Sequence, residues 1–202
     1  MLFRSEPLAC VLRALFRLRL SLRRLADISE SRQRTNSFTV FGAGPMGCLA
    51  ALAVRRNWSG MPIRMIEPNS IRRRIACARQ FADQVLESMP PGEESAISFV
   101  ASSNFRASID AIESTEYGGT VMLFSGINTD EQTGASPEYQ GKNLEQIHRR
   151  EQSVIQEDAF DYKRIRLIGS SGYILVLCPG NMLTKSSNLL EEIGRASCRE
   201  RV

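Results

Sequence analysis

Between Phe38 and Leu52 the chain reads FTVFGAGPMGCLAAL. A short apolar run ends in glycine, three glycines follow at the spacing G-x-G-x-x-G, and proline and small residues open what reads as a helix. Each glycine has a physical task in such a turn. Gly42 supplies the sharp strand-to-helix bend, Gly44 leaves the backbone open to close approach, and Gly47 lets the helix lie against the strand. Proline costs nothing in the first helical turn, where an N–H has no partner anyway. A helix starting in this loop offers free amides and a positive dipole end to an anion. The next apolar run, PIRMIE, ends in Glu67, at the distance where an acid can bind both hydroxyls of a ribose. Strand, glycine loop, helix, strand and terminal acid in that order predict a site for the pyrophosphate and adenosine ribose of a dinucleotide.

The rest of the pattern predicts the same architecture. SIRRRIACARQF reads as a second helix, with Ser70 as its N-cap, and QVLE as a short third strand. After the turn PPGEES, AISFVASS reads as a fourth strand. FRASIDAIEST has helical spacing at Phe105, Ile109 and Ile112. GGTVMLFSG and RIRLIGSS read as strands five and six. Strands alternating with helices predict an α/β class, a doubly wound parallel sheet in a single domain. Before it, EPLACVLRALFRLRLSLRRLADI places Leu8, Val11, Leu12, Leu15, Leu18, Leu22 and Leu25 at helical spacing among arginines. That segment reads as a helix packed on the domain, as a membrane-surface or targeting helix, or as partly mistranslated sequence. The expected organisation is an N-terminal helix and linker over residues 1–36, a nucleotide-binding domain over 37–192, and a tail over 193–202.

Charge and cysteine content limit the partners. The net charge is +4, but residues 1–26 carry six arginines and one glutamate, and residues 193–202 carry three arginines and one glutamate. The body between them is therefore slightly acidic, which argues against a nucleic-acid partner. No apolar run reaches the length of a membrane span. Five cysteines, an odd count without knuckle spacing, suit a reducing compartment and a cytoplasmic protein, and the single histidine is His148. In its polar QIHRRE context His148 is expected at the surface or at a helix cap.

The segments FTVFGAGPMGCLAALAVRR, RMIEPNSIRRRIACARQFAD and GGTVMLFSGI together resemble the cofactor domain of the zinc-dependent medium-chain dehydrogenases, nearest to the sorbitol and threonine dehydrogenase branch. EPLACVLRAL resembles the entry to that domain, and NLEQIHRRE and KRIRLIGSSGY resemble segments towards its end. The resemblance covers Glu6 to Tyr173 with gaps. It implies that Gly42, Gly44, Pro45, Met46 and Gly47 cradle the pyrophosphate and that Glu67 binds the adenosine ribose. It further implies that Arg72 lies over the adenosine end and Ser102 borders the adenine. Gly126 and Ile127 would touch the nicotinamide side, and Gly169 and Ser170 would form the last cofactor-lining turn. Glu6 matches a glutamate beside the catalytic zinc. The implied cofactor is NAD rather than NADP, the implied substrate a small alcohol or polyol, and a homo-oligomer is compatible with the family.

The departures point to an incomplete chain. The family's metal domain, with its cysteine, histidine and acid ligands, is expected before Glu6. Without it, no catalytic residue is assigned and no bound zinc is expected. Residues 17–36 are longer and more basic than the family's link, a helix between QVLE and AISFV is reduced to a loop, and the pattern drifts after Tyr173. IGRASCRERV resembles one reading frame of a sequencing adapter. The expected function is the cofactor half of an NAD-dependent alcohol or polyol dehydrogenase, with a non-catalytic dinucleotide sensor or interaction module as the alternative. A methyltransferase also carries a glycine loop and an acid, but the third glycine and sixth strand fit a dinucleotide better.

Overall fold

The computed structural model describes residues 6–26, 37–58, 60–127, 138–149, 158–160 and 163–170. Along the chain these form α1 (Glu6–Ala26), β1 (Phe38–Phe41), α2 (Pro45–Asn57), β2 (Ile63–Ile66), α3 (Ser70–Ala78), β3 (Gln84–Leu86) and β4 (Ser95–Val100). Then come α4 (Phe105–Glu113), β5 (Thr115–Leu123), β6 (Glu138–Tyr139), β7 (Lys142–Asn143), α5 (Leu144–Arg149), β8 (Asp158–Phe160) and β9 (Ile165–Gly169). The main sheet runs β3-β2-β1-β4-β5-β9-β8. All its pairings are parallel except that of β8 with β9. The chain therefore has the doubly wound α/β fold expected from its pattern, with β9 as the sixth parallel strand. The edge strand β8 and the β6–β7 hairpin had no clear signal in the sequence.

Period-two alternation sends successive side chains of each strand to opposite faces. Phe38 and Val40 of β1, Ile63 and Met65 of β2, and Ile97 and Phe99 of β4 join one core, covered by α1 and α2. Phe41, Ile66, Val100, Val121, Leu123, Ile165 and Leu167 join the other, covered by α4 and α5. α2 lies close to β1 because its buried face is Gly47, Ala50, Ala51, Ala53 and Val54. α1 buries Leu8, Val11, Ala14, Leu15 and Leu18. Each fully covered leucine contributes about 2 kcal/mol of transfer free energy. Of the three readings of the basic N-terminal segment, packing on the domain is the one this arrangement matches. Among the described residues no helix is long and apolar enough to cross a membrane.

The link from β3 to β4, residues 87–94, contains turns and no helix. Arg64 of β2 spans part of this region, donating to Gln84 and pairing with Glu93. β5 begins at Thr115, before the expected GGTVMLFSG, and its pairing with β4 slips between Ser95 and Ile97. Gly118, at φ 72°, lies in that slip. The first residue of α3 is Ser70, so it is not the cap. The cap is Asn69, whose side-chain oxygen accepts from the amides of Ile71 and Arg72. An asparagine carbonyl caps a helix about as well as a serine hydroxyl, and Asn69 stands one residue earlier.

Candidate dinucleotide site

Parallel strands present their carboxyl ends on one edge, and in doubly wound sheets the crevice where strand order reverses is the place for a ligand. Here that crevice lies between β1 and β4. The β1–α2 turn sits beside it, and the three glycines behave differently there. Gly42 has φ 108° and lies against Ala101, whose oxygen would be 3.2 Å from a Cβ. At Gly47 a Cβ would fall 1.9 Å from the oxygen of Gly42, so only glycine lets α2 start here. At Gly44 a Cβ would meet nothing within 4 Å. The space above Gly44 is open.

Gly44 is the N-cap of α2, and no side chain caps this helix. Pro45 follows, and helix geometry leaves the amides of Met46 and Gly47 without an intrahelical acceptor. The first turn of α2 contains no acid. By contrast, Asn69 caps α3 and Asn104 caps α4 through its oxygen, 2.8 Å from the amide of Arg106. Met46 packs partly into the core beneath.

Glu67 follows directly after β2 and is 4% exposed. One carboxylate oxygen accepts from the amide of Ala43 at 2.8 Å and the other from the amide of Asn69 at 2.9 Å. Each oxygen keeps acceptor capacity for a further donor. The acid therefore lies beside the glycine loop and braces it. Arg72 stands 4.0 Å from the same carboxylate with most of its side chain in solvent. Arg73 is committed elsewhere, donating to the carbonyls of Glu67 and Pro68 and pairing with Glu87 at 2.9 Å. Cys48 sits under the loop, its thiol donating to the Ala43 carbonyl at 3.6 Å. Burial, and then the Glu67 carboxylate, push this thiol up to about 11.

Across the crevice, Ser102 follows β4 and its Cβ would lie 3.3 Å from one built on Gly42. Its hydroxyl accepts from the Asn104 amide at 3.3 Å. Beyond β5, Gly126 is exposed and Ile127 is buried. The Ile127 amide donates to Glu145 at 2.7 Å. Ser170, also buried, donates its amide to the Leu123 carbonyl at 3.1 Å. Gly169 has a packing task, since a Cβ there would fall 1.9 Å from the Ile147 oxygen of α5. The structure thus brings Gly42, Gly44, Pro45, Met46, Gly47, Glu67 and Arg72 together on one side, with Ser102 facing them. Gly126, Ile127, Gly169 and Ser170 gather over β5 and β9. Glu6 opens α1, and its side chain lies outside the described residues, as do Cys178, Cys198 and the 193–202 tail.

His148 is not at the surface. It is buried on α5, and its Nδ1 lies 3.0 Å from the Leu123 carbonyl. The helix that carries it was not legible, because NLEQIHRRE gives too short a period to separate from a loop. Glu145, which holds the loop after β5, went unassigned for the same reason. Among the described residues no three His, Cys, Asp or Glu side chains converge as a metal site. These described residues do not fit a catalytic zinc. A separate hollow of about 390 Å³ lies at the opposite edge, lined by Arg55, Trp58, Gly60, Met61, Pro62 and Asp83. Arg55 and Asp83 pair across it at 2.8 Å, which leaves little unmet charge for a ligand.

No protein-family model matches the chain, and no curated protein matches it. Solved structures do. Galactitol-1-phosphate dehydrogenase from Escherichia coli superposes with a TM-score of 0.59 at 17% identity, over 93% of this chain and 48% of that one. 2R,3R-butanediol dehydrogenase from Bacillus subtilis gives 0.56 at 16% identity, over 93% and 45%. S. aureus TarJ in complex with NADPH gives 0.51 at 18% identity, over 83% and 44%. At these identities the likeness is one of fold. The chain spans less than half the length of these three structures.

Proposed function

We propose that this chain binds NAD and forms the cofactor half of a medium-chain alcohol or polyol dehydrogenase, one whose zinc and substrate walls lie outside the described residues. The observation that carries the reading is the uncapped start of α2 beneath the open face of Gly44, with the buried carboxylate of Glu67 beside it. Two free amides and a dipole end call for an anion, and a carboxylate at the end of β2 calls for hydroxyl donors. A pyrophosphate joined to a ribose meets both demands. The fold likeness to dehydrogenases, one of them crystallised with NADPH, supports a dinucleotide ligand and is neutral on the choice of NAD.

When bound, the nicotinamide ring supplies the hydride acceptor. This chain's residues act on either side of that chemistry. The α2 amides hold the pyrophosphate, Glu67 accepts from the ribose, and the ends of β4, β5 and β9 exclude water from the far half. Glu67 also sets the cofactor preference. The 2′-phosphate of NADP would bring negative charge against a buried carboxylate and remove a donor, at a cost of about 2–4 kcal/mol. That favours NAD by roughly 30- to 1,000-fold. Arg72 is the counterweight, since a solvent-facing guanidinium there could grip that phosphate, whereas Arg73 is already engaged.

Calorimetric titration of NAD and NADP into the purified chain and its Glu67→Ser variant tests the proposal. NAD should bind more tightly, and the substitution should shrink the ratio. Failure of the folded chain to bind either dinucleotide would overturn the reading. Equal affinity for the two would overturn the assignment of preference to Glu67.

A further inference from the structure

The fold fixes the tautomer of the one histidine in the chain. A carbonyl oxygen can only accept, so the Nδ1 of His148, 3.0 Å from the Leu123 oxygen, carries the proton. In the neutral ring Nε2 is then an acceptor. The same Leu123 oxygen accepts the amide of Ser170 at 3.1 Å, so the ring is pinned where β5, β9 and α5 meet. Nε2 has no hydrogen-bond partner among the described residues and is not sealed in the interior. The space beside it is the bare Cα of Gly126, where a Cβ would stand 3.8 Å from Nε2. Gly126 itself is exposed and its neighbour Ile127 is held by Glu145. A fixed acceptor therefore belongs to a residue that is 7% exposed and lies beside a glycine at the carboxyl edge of the sheet.

A dinucleotide gripped at the β1–α2 turn, with one ribose at Glu67, must extend its other half over β4, β5 and β9. That path ends at Gly126 and His148. We propose that Nε2 of His148 accepts a hydrogen bond from the carboxamide N–H of the nicotinamide and so fixes the rotation of that group at the end of β5. The inference rests on the dinucleotide reading above. It gives His148 a role in choosing the nicotinamide half specifically, because the adenosine half lies on the other side of the crevice.

Two measurements on the full chain test it. The first needs no substitution and compares NAD with its deamidated analogue, in which a carboxylate replaces the carboxamide. That group has no N–H to donate, so the analogue should bind the unmodified chain at least ~10-fold more weakly. The second compares NAD with ADP-ribose, which lacks the nicotinamide, across the unmodified chain, His148→Asn and His148→Gln. Asparagine can keep a donor towards Leu123 but has nothing at the Nε2 position, whereas glutamine can place an oxygen there. His148→Asn should lose roughly 3- to 10-fold in NAD affinity with ADP-ribose unchanged, and His148→Gln should recover part of the loss. Equal binding of NAD and its deamidated analogue would overturn the proposal, as would equal losses for NAD and ADP-ribose. If the unmodified chain binds neither NAD nor ADP-ribose, the dinucleotide reading falls and takes this one with it.

Discussion

Gly44 and Gly47 are three residues apart and should respond to alanine in opposite ways. At Gly47 the new methyl would meet a backbone oxygen at 1.9 Å, and neither α2 nor the loop can yield without losing its packing. Gly47→Ala should destabilise the chain by at least ~2 kcal/mol, read by denaturant unfolding. At Gly44 the methyl enters open space with an ordinary φ of −72°, so stability should change by no more than ~1 kcal/mol. NAD affinity should nevertheless fall by tenfold or more, because that space is where the phosphates would lie. Comparable binding by Gly44→Ala and the unmodified chain would remove the pyrophosphate from this turn. Cys48 offers a second test at this scale. With its thiol at about 11 against an ordinary 9.0, it holds about 100-fold less thiolate near neutral pH. Iodoacetamide should label exposed Cys77 first, and Cys48 labelling should rise steadily into the alkaline range. Glu67→Gln removes one cause of the shift and should speed Cys48 labelling. Equal rates at Cys48 and Cys77 in the unmodified chain would contradict the burial and charge described for the loop.

Among the elements, α1 carries a flaw that can be repaired. Arg17 is 9% exposed, one of its terminal nitrogens has no partner, and burial followed by Arg13 lowers its pKa. A buried cation with no counter-ion among the described residues opposes packing, while its aliphatic stem favours it. Arg17→Met keeps the stem and should stabilise the chain by roughly 1 kcal/mol, raising Tm by about 2–4 °C. A fall in Tm would mean that the guanidinium has a partner beyond the described residues. The element scale also shows what was legible beforehand. β1, α2, β2 and β4 were readable because apolar runs of distinct period met glycine and proline punctuation. β5 started early because a slip at Gly118 leaves no periodic mark. α5, β6, β7 and β8 are between two and six residues long, too short for any period, and are held by partners distant in sequence. Candidate residues on α2 and after β2 were legible through spacing. The burial of His148 was not, because tertiary packing of α5 on β9 depends on the missing side chain of Gly169.

At the scale of the whole molecule, the crevice divides the sheet into one half built from β1, β2 and β3 and another from β4, β5 and β9. A ligand confined to the first half would protect only the elements around Gly44 and Glu67. A dinucleotide lying across the crevice should couple both halves, because it would contact the β1–α2 turn and the loop after β5 together. Saturation at 100 times Kd stabilises a native state by ~2.7 kcal/mol, which for a chain of this size should raise Tm by roughly 5–10 °C. ADP-ribose at the same multiple of its own Kd must stabilise equally, since linkage depends on occupancy and not on which atoms make the contacts. Tm alone therefore cannot tell how far the ligand reaches, whereas local hydrogen exchange can. With NAD, slowed exchange should extend from the amides of Met46 and Gly47 to those of residues 124–127 and 144–149. With ADP-ribose it should be weaker over the second group. Protection limited to the first half with both ligands would mean that the chain uses only its adenosine-binding half, and the assignment of β5, β9 and α5 to the nicotinamide would have to be abandoned.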